Sequence, residues 1–416
     1  MKPRRQIAAC IRLLYLLANG GLWLLARSLW PRRHPASVNT ICVCYPAGVG
    51  DFVVGLPALD AIRKAYPGAR LCLLTWPERT RKAESWRLLE GAGWIDEFMV
   101  YPPDVTQNAR TLIGMIVALR RRRFDLWFHL PRHHYTLRQV LLAIALARLA
   151  RPRWAGGFGL AKIRWAMAAQ SEFLNFPNQS QRLLAVLAHA GVGIGTPRFP
   201  LPVRSQHHRA VCGWLEQAGL EGLPLVALAP GALVALKRWP AARFAAVGRE
   251  LSKVGYGVVV LGSAEEAELG RAVAEAIGAG ALNLAGRCSL LESAAALKHM
   301  SLLICNDSGL QHLAAAVGTP CVAVFHFADL HGTWHPWGSA HTVLKRWVEC
   351  HSCNRTSCAH QRCLTEIGVA EVIGAALRKL RSPAPDASGG GPPWRGKFAH
   401  VPDLRAISAR RSVLDP

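Results

Sequence analysis

An α/β fold of two doubly wound units in tandem is what this sequence predicts, on three observations. Short apolar runs alternate with amphipathic ones along most of the chain. The alternation pauses once, at the Pro-rich stretch GTPRFPLPVRSQHH (195–208), and then restarts. The 416 residues are too many for one compact core. Alternating strands and helices imply parallel pairing with helices on both faces of each sheet.

In the first unit VNTICVCY (38–45) reads as a strand and DAIRKAYP (60–67) as helical. ARLCLLTW (69–76) is the second strand. RKAESWRLLEGAG (81–93) reads as a helix with a Gly stop. EFMVY (97–101), the helix TLIGMIVALRRRR (111–123), the strand FDLWFHL (124–130) and the helix RQVLLAIALARLA (138–150) follow. The second unit begins with a helix at 209–220 and a strand at PLVALAP (224–230). Helix 242–255, strand 257–263 and helix 265–278 come next, then the short strand ALNLAG (281–286). Helix 290–300, strand LLICN (302–306), helix 309–318 and strand CVAVF (321–325) complete it. The boundaries are an apolar, basic extension over 1–36, units at 37–200 and 201–381, and a Pro/Gly/Ser-rich mobile tail at 382–416.

Composition narrows the partners. Net charge is +24, charged residues are 18% of the chain, and 51% is hydrophobic. Such a balance implies anionic partners: nucleic acid, acidic lipid or a phosphorylated glycan. No zinc-finger, RNA-recognition or helix-turn-helix signature supports nucleic acid, so it is not expected as a partner. Of twelve cysteines, seven (Cys10, Cys42, Cys44, Cys72, Cys288, Cys305, Cys321) lie in or beside apolar segments, as reduced buried thiols do. Residues 7–30 (IAACIRLLYLLANGGLWLLARSLW) are apolar but interrupted by Arg12, Asn19-Gly20-Gly21 and Arg27. That pattern suggests two short helices lying in a membrane interface, with Arg4, Arg5, Arg12, Arg27, Arg32 and Arg33 at the headgroups. A helical extension packed on the protein and a true span are the other arrangements these residues allow.

Four motifs carry chemistry. In YPAGVGDFVVGLPAL (45–59) a Gly-rich turn follows the first strand but ends in Asp51, a carboxylate that would repel a phosphate. Its glycines, Gly48 and Gly50, let a ligand approach closely. Pro57 would kink a helix that began at Asp51; a start near Leu56 would leave Asp51 on an exposed bend. In NDSGLQHLAAAVGTPCVAVF (306–325) a strand runs into a helix start. Asp307 or Ser308 can cap that helix, Gly309 admits a ligand to the backbone, and free N–H groups favour an anion. His312 lies one turn in; the same residues also suit a capped helix with a core-facing His. In PGALVALKRWPAARFAAVGREL (230–251) a loop presents Lys237 at a strand end, where it neutralises a diphosphate or forms a solvated pair with Arg238. In LGSAEE (261–266) Glu265 is either a ribose ligand or an ordinary helix N-terminal Glu. An anion-binding helix, a Lys and a Glu at three strand ends fit a nucleotide diphosphate. Asp51, facing them from the other unit, is then placed to take a proton from an attacking hydroxyl.

In order and spacing, GVGDFVVGLPALDAIRKAYPGA, PGALVALKRWP and DSGLQHLAAAVGTPCVAVF resemble the heptosyltransferase family of glycosyltransferases (family 9), over roughly residues 38–378. The resemblance implies a GT-B fold, an ADP-heptose donor, a lipopolysaccharide inner-core acceptor and an inverting, metal-independent transfer without a cofactor. It implies that Asp51 is the base and Lys237 the phosphate-binding lysine. It assigns Asp307, Ser308, Gly309 and His312 to the donor diphosphate and sugar, and Glu265 to the ribose. No DxD pair lies near these loops, in keeping with metal-free chemistry. The acceptor-side loop is expected at FHLPRHHYTLRQ (128–139), with Arg132, His133 and His134 toward an anionic lipid-linked glycan. The apolar extension would hold the enzyme at the cytoplasmic face of the bacterial inner membrane, peripheral or monotopic. Cys350, Cys353, Cys358 and Cys363 are equally a structural zinc site, a disulfide pair or free thiols. Two rival readings remain: a GT-B enzyme using another nucleotide sugar or epimerising one, and a non-catalytic nucleic-acid binder, which gives no reason for an anion loop opposite Asp51.

Overall fold

The first apolar run forms β1 (Thr40–Cys44), in which every residue but the first is buried. A strand buried on both faces needs helices on both, and the chain supplies them. The computed structural model describes residues 17–381 apart from 23, 32, 76–84, 103, 106, 133–134, 160–177, 327–331 and 351–357. Strands β1, β2 (Arg70–Thr75), β3 (Glu97–Val100), β4 (Leu126–His129) and β5 (Trp154–Gly156) make a parallel sheet of order β3-β2-β1-β4-β5. Side chains alternate across it. Ile41, Val43, Leu71 and Leu73 pack with helices α1 (Val49–Ala65) and α4 (Gln179–His189). Cys42, Cys44, Cys72 and Trp127 pack with α2 (Ala109–Arg121) and α3 (Leu137–Ala150) on the opposite face.

The second unit opens with α5 (Ser205–Gln217). Its parallel sheet has the order β11-β10-β9-β6-β7-β8. The strands are β6 (Leu225–Ala229), β7 (Gly257–Val260), β8 (Ala281–Asn283), β9 (Leu302–Asn306), β10 (Cys321–Phe325) and β11 (Thr342–Lys345). Helices α6 (Ala241–Lys253), α7 (Ala267–Ile277), α8 (Leu290–Lys298), α9 (Gly309–Val317) and α11 (Val369–Arg381) cover it, with a single turn, α10 (Arg362–Thr365), before the last. Strand order reverses between β1 and β4 in one sheet and between β6 and β9 in the other. Ligand crevices open at such switch points, beyond the carboxyl ends of the strands. Helices α1 and α9 start there, and they pack against each other across the two units.

Several elements differ from the sequence reading. Helix α1 begins at Val49, so Asp51 sits in its first turn and Pro57 lies inside the helix. The proline is accommodated where α4 crosses, and Ser180 Oγ donates to the Val54 carbonyl (2.7 Å). The helix expected over 81–93 is a 3-10 turn at Ser85–Leu89, and its earlier residues lie outside the described ones. Helix α5 starts at Ser205, inside the stretch read as linker. Helix α4 and the short strands β5 and β11 were not anticipated. Residues 17–22 are helical through Asn19-Gly20-Gly21, so the expected break is not there. Leu22 and Trp30 are buried with the α2–α3 side of the first sheet, and Trp30 stacks on Phe158 at 5.7 Å. Residues 7–16 and the 382–416 tail lie outside the described residues. Among the described residues no helix is long and apolar enough to cross a membrane.

Candidate active site

Two glycines bring the units together. A Cβ on Gly50 would stand 3.3 Å from the Gly309 Cα and 3.5 Å from the His312 ring. Backbone therefore meets backbone where α1 and α9 begin, and a Cβ at Gly50 would press on the Gly309 backbone, while one at Gly309 would make ordinary contact at 3.5 Å. Gly48 is the N-cap of α1, in extended conformation, and makes no side-chain cap.

Asp51 follows Gly50 in the first turn of α1. Its Oδ2 lies 3.3 Å from Arg132 Nη2, and the carboxylate is 14% exposed. Burial pushes its pKa up; Arg132 foremost, then Arg182 and a backbone hydrogen bond from Gly48, oppose the rise. Arg182 is fixed from α4: its Nε donates to Gln179 Oε1 (2.9 Å) and its Nη2 to the Pro131 carbonyl. Beneath Asp51, the Tyr45 hydroxyl donates to the Asp51 carbonyl. The Tyr45 ring fills the space a Cβ on Gly55 would need. The sequence reading missed Tyr45 and Arg182, because each reaches Asp51 only through the fold. His133 and His134 lie outside the described residues; Arg132 alone of the predicted acceptor loop is seen against Asp51.

The second unit contributes a cation held by its own carboxylate. Lys237, in the 3-10 turn Ala235–Lys237 after β6, places Nζ 2.6 Å from Asp307 Oδ2. Gln311 Nε2 donates to the other Asp307 oxygen (3.0 Å) and to the Trp334 carbonyl (3.2 Å). Asn306, wholly buried, ties this loop to β9: its Oδ1 accepts from the Trp239 N–H (2.9 Å) and its Nδ2 donates to the Pro230 carbonyl (2.7 Å). Asp307 thus positions Lys237 rather than capping α9.

Ser308 occupies the N-cap of α9 but makes no cap, and its Oγ is buried without a hydrogen-bond partner. A helix start with an uncapped first turn and an idle hydroxyl suits an anion. His312 is buried, and burial, then Lys237 and His341, push its pKa down to about 3. It is a neutral imidazole, set edge-on to Trp334 at 5.9 Å.

Glu265 is exposed. Its neighbour Glu266 turns inward: Oε2 accepts from the Ser263 N–H (2.9 Å), and the carboxyl fills the space beside Gly231, in the loop that also carries Lys237. Cys350, Cys358 and Cys363 are unbridged, and Cys353 lies outside the described residues. Among the described residues no group of three or more His, Cys, Asp or Glu could hold a metal ion.

Two doubly wound parallel sheets, with helices α1 and α9 packed together where their switch points open, make a GT-B protein, the architecture of many glycosyltransferases. The chain belongs to glycosyltransferase family 9 (heptosyltransferase), whose sequence profile matches residues 116–364, and it is a glycosyltransferase. Lipopolysaccharide heptosyltransferase 2 of Salmonella typhimurium (strain LT2) is 25% identical over 305 residues, 68% of this chain and 82% of that protein. Lipooligosaccharide heptosyltransferase 2 of Haemophilus influenzae is 35% identical over a shorter 107 residues, 24% of this chain and 31% of that one. Among solved structures, the family 9 glycosyl transferase of Veillonella parvula has a TM-score of 0.68 at 21% identity, covering 84% of this chain and 99% of that one. The E. coli ADP-heptose lps heptosyltransferase II has a TM-score of 0.58 at 20% identity, covering 82% and 98%.

Proposed function

We propose that this enzyme moves a heptose from ADP-heptose onto the lipopolysaccharide inner core, by an inverting transfer that needs no metal, with Asp51 as general base. The observation that carries the reading is the Gly50–Gly309 junction. There the start of α1, with Asp51 in its first turn, meets the uncapped start of α9, and Lys237 is held by Asp307 just ahead of that start.

The donor diphosphate lies at Ser308 and Gly309, its charge met by Lys237 and the backbone N–H groups of α9. The ribose lies toward the 263–266 loop, where Glu265 was expected and Glu266 turns inward. His312, neutral, faces the sugar without adding charge. The acceptor hydroxyl attacks the anomeric carbon from the Asp51 side and loses its proton to the Asp51 carboxylate. The bond to the diphosphate breaks on the opposite face, and ADP leaves as an anion stabilised by Lys237 and the helix start. Burial that raises the Asp51 pKa makes it a stronger base, while Arg132 and Arg182 keep it ionised.

Arg132 at the mouth of the acceptor half, with His133 and His134, meets phosphate on the lipid-linked glycan. The +24 charge and the apolar extension suit work at the cytoplasmic face of the inner membrane, on the lipid side of the pathway. The names of the relatives support donor and acceptor alike.

The test is ADP release from ADP-heptose with Kdo-lipid A acceptors, comparing wild type with Asp51→Ala. Acceptor-dependent release that collapses in the variant while ADP still binds is expected. Full turnover in the variant removes Asp51 as the base. No release with any core acceptor moves the assignment to another nucleotide sugar.

A further inference from the structure

Helices α2 and α3 are apolar on both sides. Met115, Leu119, Val140 and Ile144 face the sheet and are buried. The outward sides nevertheless carry Ile113 (60% exposed), Val117, Leu137, Leu141, Leu142 (57%) and Leu149. A helix apolar all round is a buried or membrane-contacting helix, and these two pack against each other with their outer sides bare. Exposed Leu17, Leu24 and Leu25 of the 17–29 segment continue the patch. That segment is joined to α3 through Arg148, whose guanidinium lies over the Trp30 ring at 5.7 Å and reaches the Leu29 carbonyl.

The patch is ringed by arginine. Between Val105 and Ser171 the sequence contains one acidic residue, Asp125. Where α2 and α3 end, a cavity of about 540 Å³ is lined by Arg120, Arg123, Arg151 and Arg153 beside that aspartate. Asp125 is already engaged: it accepts from the Asn39 and Thr40 N–H groups and pairs with Arg153 at 3.1 Å. Arg123 and Arg151 carry no ion pair among the described residues, and both adopt left-handed backbone (φ 48° and 58°). Glycine is the residue that conformation favours. Helix dipoles account for cations at these ends but not for two arginines at positions that favour glycine, beside an open cavity.

We infer that the outward side of α2 and α3 seats on an anionic phospholipid bilayer, and that the four-arginine cavity takes a lipid phosphate headgroup. The contact is carried by α2 and α3 of the folded unit, and the 17–29 part of the N-terminal extension continues it. It deepens the proposed function, on which it rests only for its purpose. The loop carrying Arg132 leads within five residues into Leu137, the first residue of α3. A glycolipid in a membrane lying along α3 would therefore enter past the start of that helix and reach Asp51. The fourteen residues of α3 span about 21 Å, enough to set the cleft above the headgroups at one end and the cavity at the other.

The test is co-sedimentation of the full chain with vesicles of phosphatidylcholine containing about one-third phosphatidylglycerol, against pure phosphatidylcholine, without sugar nucleotide or acceptor. Arg123→Gly/Arg151→Gly removes two charges while suiting the backbone there. At about fivefold per arginine, it should weaken partition about thirtyfold on the anionic vesicles. Leu141→Gln/Leu142→Gln should weaken it on the order of tenfold. Leu223→Gln/Val254→Gln, exposed on the second unit, should leave it unchanged. Turnover on a soluble, deacylated acceptor should be the same in all three. Wild-type partition by both face variants overturns the inference. So does a leucine variant that turns a dimer into a monomer with vesicle binding intact, which makes the patch a contact between copies. So does vesicle binding that survives the leucine change but is abolished by millimolar inorganic phosphate, which makes the cavity a free-phosphate site. The vesicle result stands whichever sugar is transferred, so failure of the donor assignment is read separately.

Discussion

Lys237→Met tests the donor half, because it removes the charge and keeps most of the side-chain volume. In the wild type Nζ lies 2.6 Å from an Asp307 carboxylate that is 5% exposed, and Lys237 itself is 20% exposed. Removing one partner of a fully buried pair costs about 3–5 kcal/mol, since the other charge is left without compensation. Here Gln311 still donates to Asp307, and water reaches the lysine side. The expected loss is therefore about 2 kcal/mol. Asp307→Asn in the Lys237→Met background removes the stranded charge, so the double variant should be no less stable than the single one. The coupling should be about 1–3 kcal/mol. Urea unfolding of all four proteins, with the slope checked for constancy, gives these values. Donor affinity read on the same set separates binding from folding. The proposed charged hydrogen bond from Lys237 to the donor diphosphate predicts roughly 10- to 100-fold weaker donor binding for Lys237→Met. Asp307→Asn, which leaves the lysine, should bind donor within a few-fold of wild type. Additive stabilities, or a Lys237→Met protein that unfolds at the wild-type urea concentration, would refute the reasoning that this carboxylate depends on this lysine.

Other perturbations have equally defined signs. Arg132→Gln removes the largest influence opposing burial at Asp51; the acid limb of kcat/KM should move to higher pH, and a limb that stays or falls would break the link. Gly50→Ala places a Cβ 3.3 Å from the Gly309 Cα; it should slow turnover about tenfold or more with thermal stability within about 1–3 kcal/mol of wild type. Gly157→Ala, at φ +88° with its Cβ overlapping the His129 carbonyl, should destabilise by more than about 2 kcal/mol and leave donor affinity unchanged in the folded fraction. His129 and His312 are buried neutral with pKa values pushed to about 3. Their folded values lie below the unfolded one, so the stability they contribute is present above about pH 6.5 and lost as pH falls. Each should cost about 2 kcal/mol by pH 5; flat unfolding free energy between pH 7 and 5 would contradict this.

The strand ends and helix start that carry the proposed donor groups were legible because they are local. Strand, turn and helix start follow one another in NDSGLQH and in PGALVALK, and a strand end fixes the direction of the next few residues. The position of Asp51, just past the first strand, was legible for the same reason. Its surroundings were not: Arg132 and Arg182 lie 81 and 131 positions away along the chain, and only sheet order brings them near. Glu265 and Glu266 show the limit of a one-residue register, since the sequence makes them alike and only the packing beside Gly231 turns one inward. Helix α4 carried a usable signal, a capping box between Asn178 and Gln181, beside an apolar run that was passed over. Strands β5 and β11, of three and four residues, are too short for a period to register. Pro57 left the start of α1 open between Asp51 and Leu56, and the structure takes the earlier start, with the proline inside the helix where a neighbouring helix packs.

In the proposed reading the Gly-rich turn before Asp51 is not a phosphate loop, and the charges at the two helix starts are the reason. A helix start attracts an anion, and Asp51, in the first turn of α1, already supplies one. The complementary start, that of α9, has no acidic residue in its first turn and an idle Ser308 hydroxyl. Two helix starts in backbone contact would otherwise compete for the same diphosphate. With a carboxylate on one alone, the diphosphate in the proposed mechanism is repelled from α1 and drawn to α9, with donor and acceptor on opposite sides of the junction. The same carboxylate can act as a base only if burial does not neutralise it. In the proposed mechanism that is the part of Arg132 and Arg182, and it makes Arg132 the residue through which an anionic acceptor would tune the base. Acceptor phosphate that draws Arg132 away would leave Asp51 more basic at the moment the hydroxyl arrives. The Arg132→Gln pH profile reads that coupling directly.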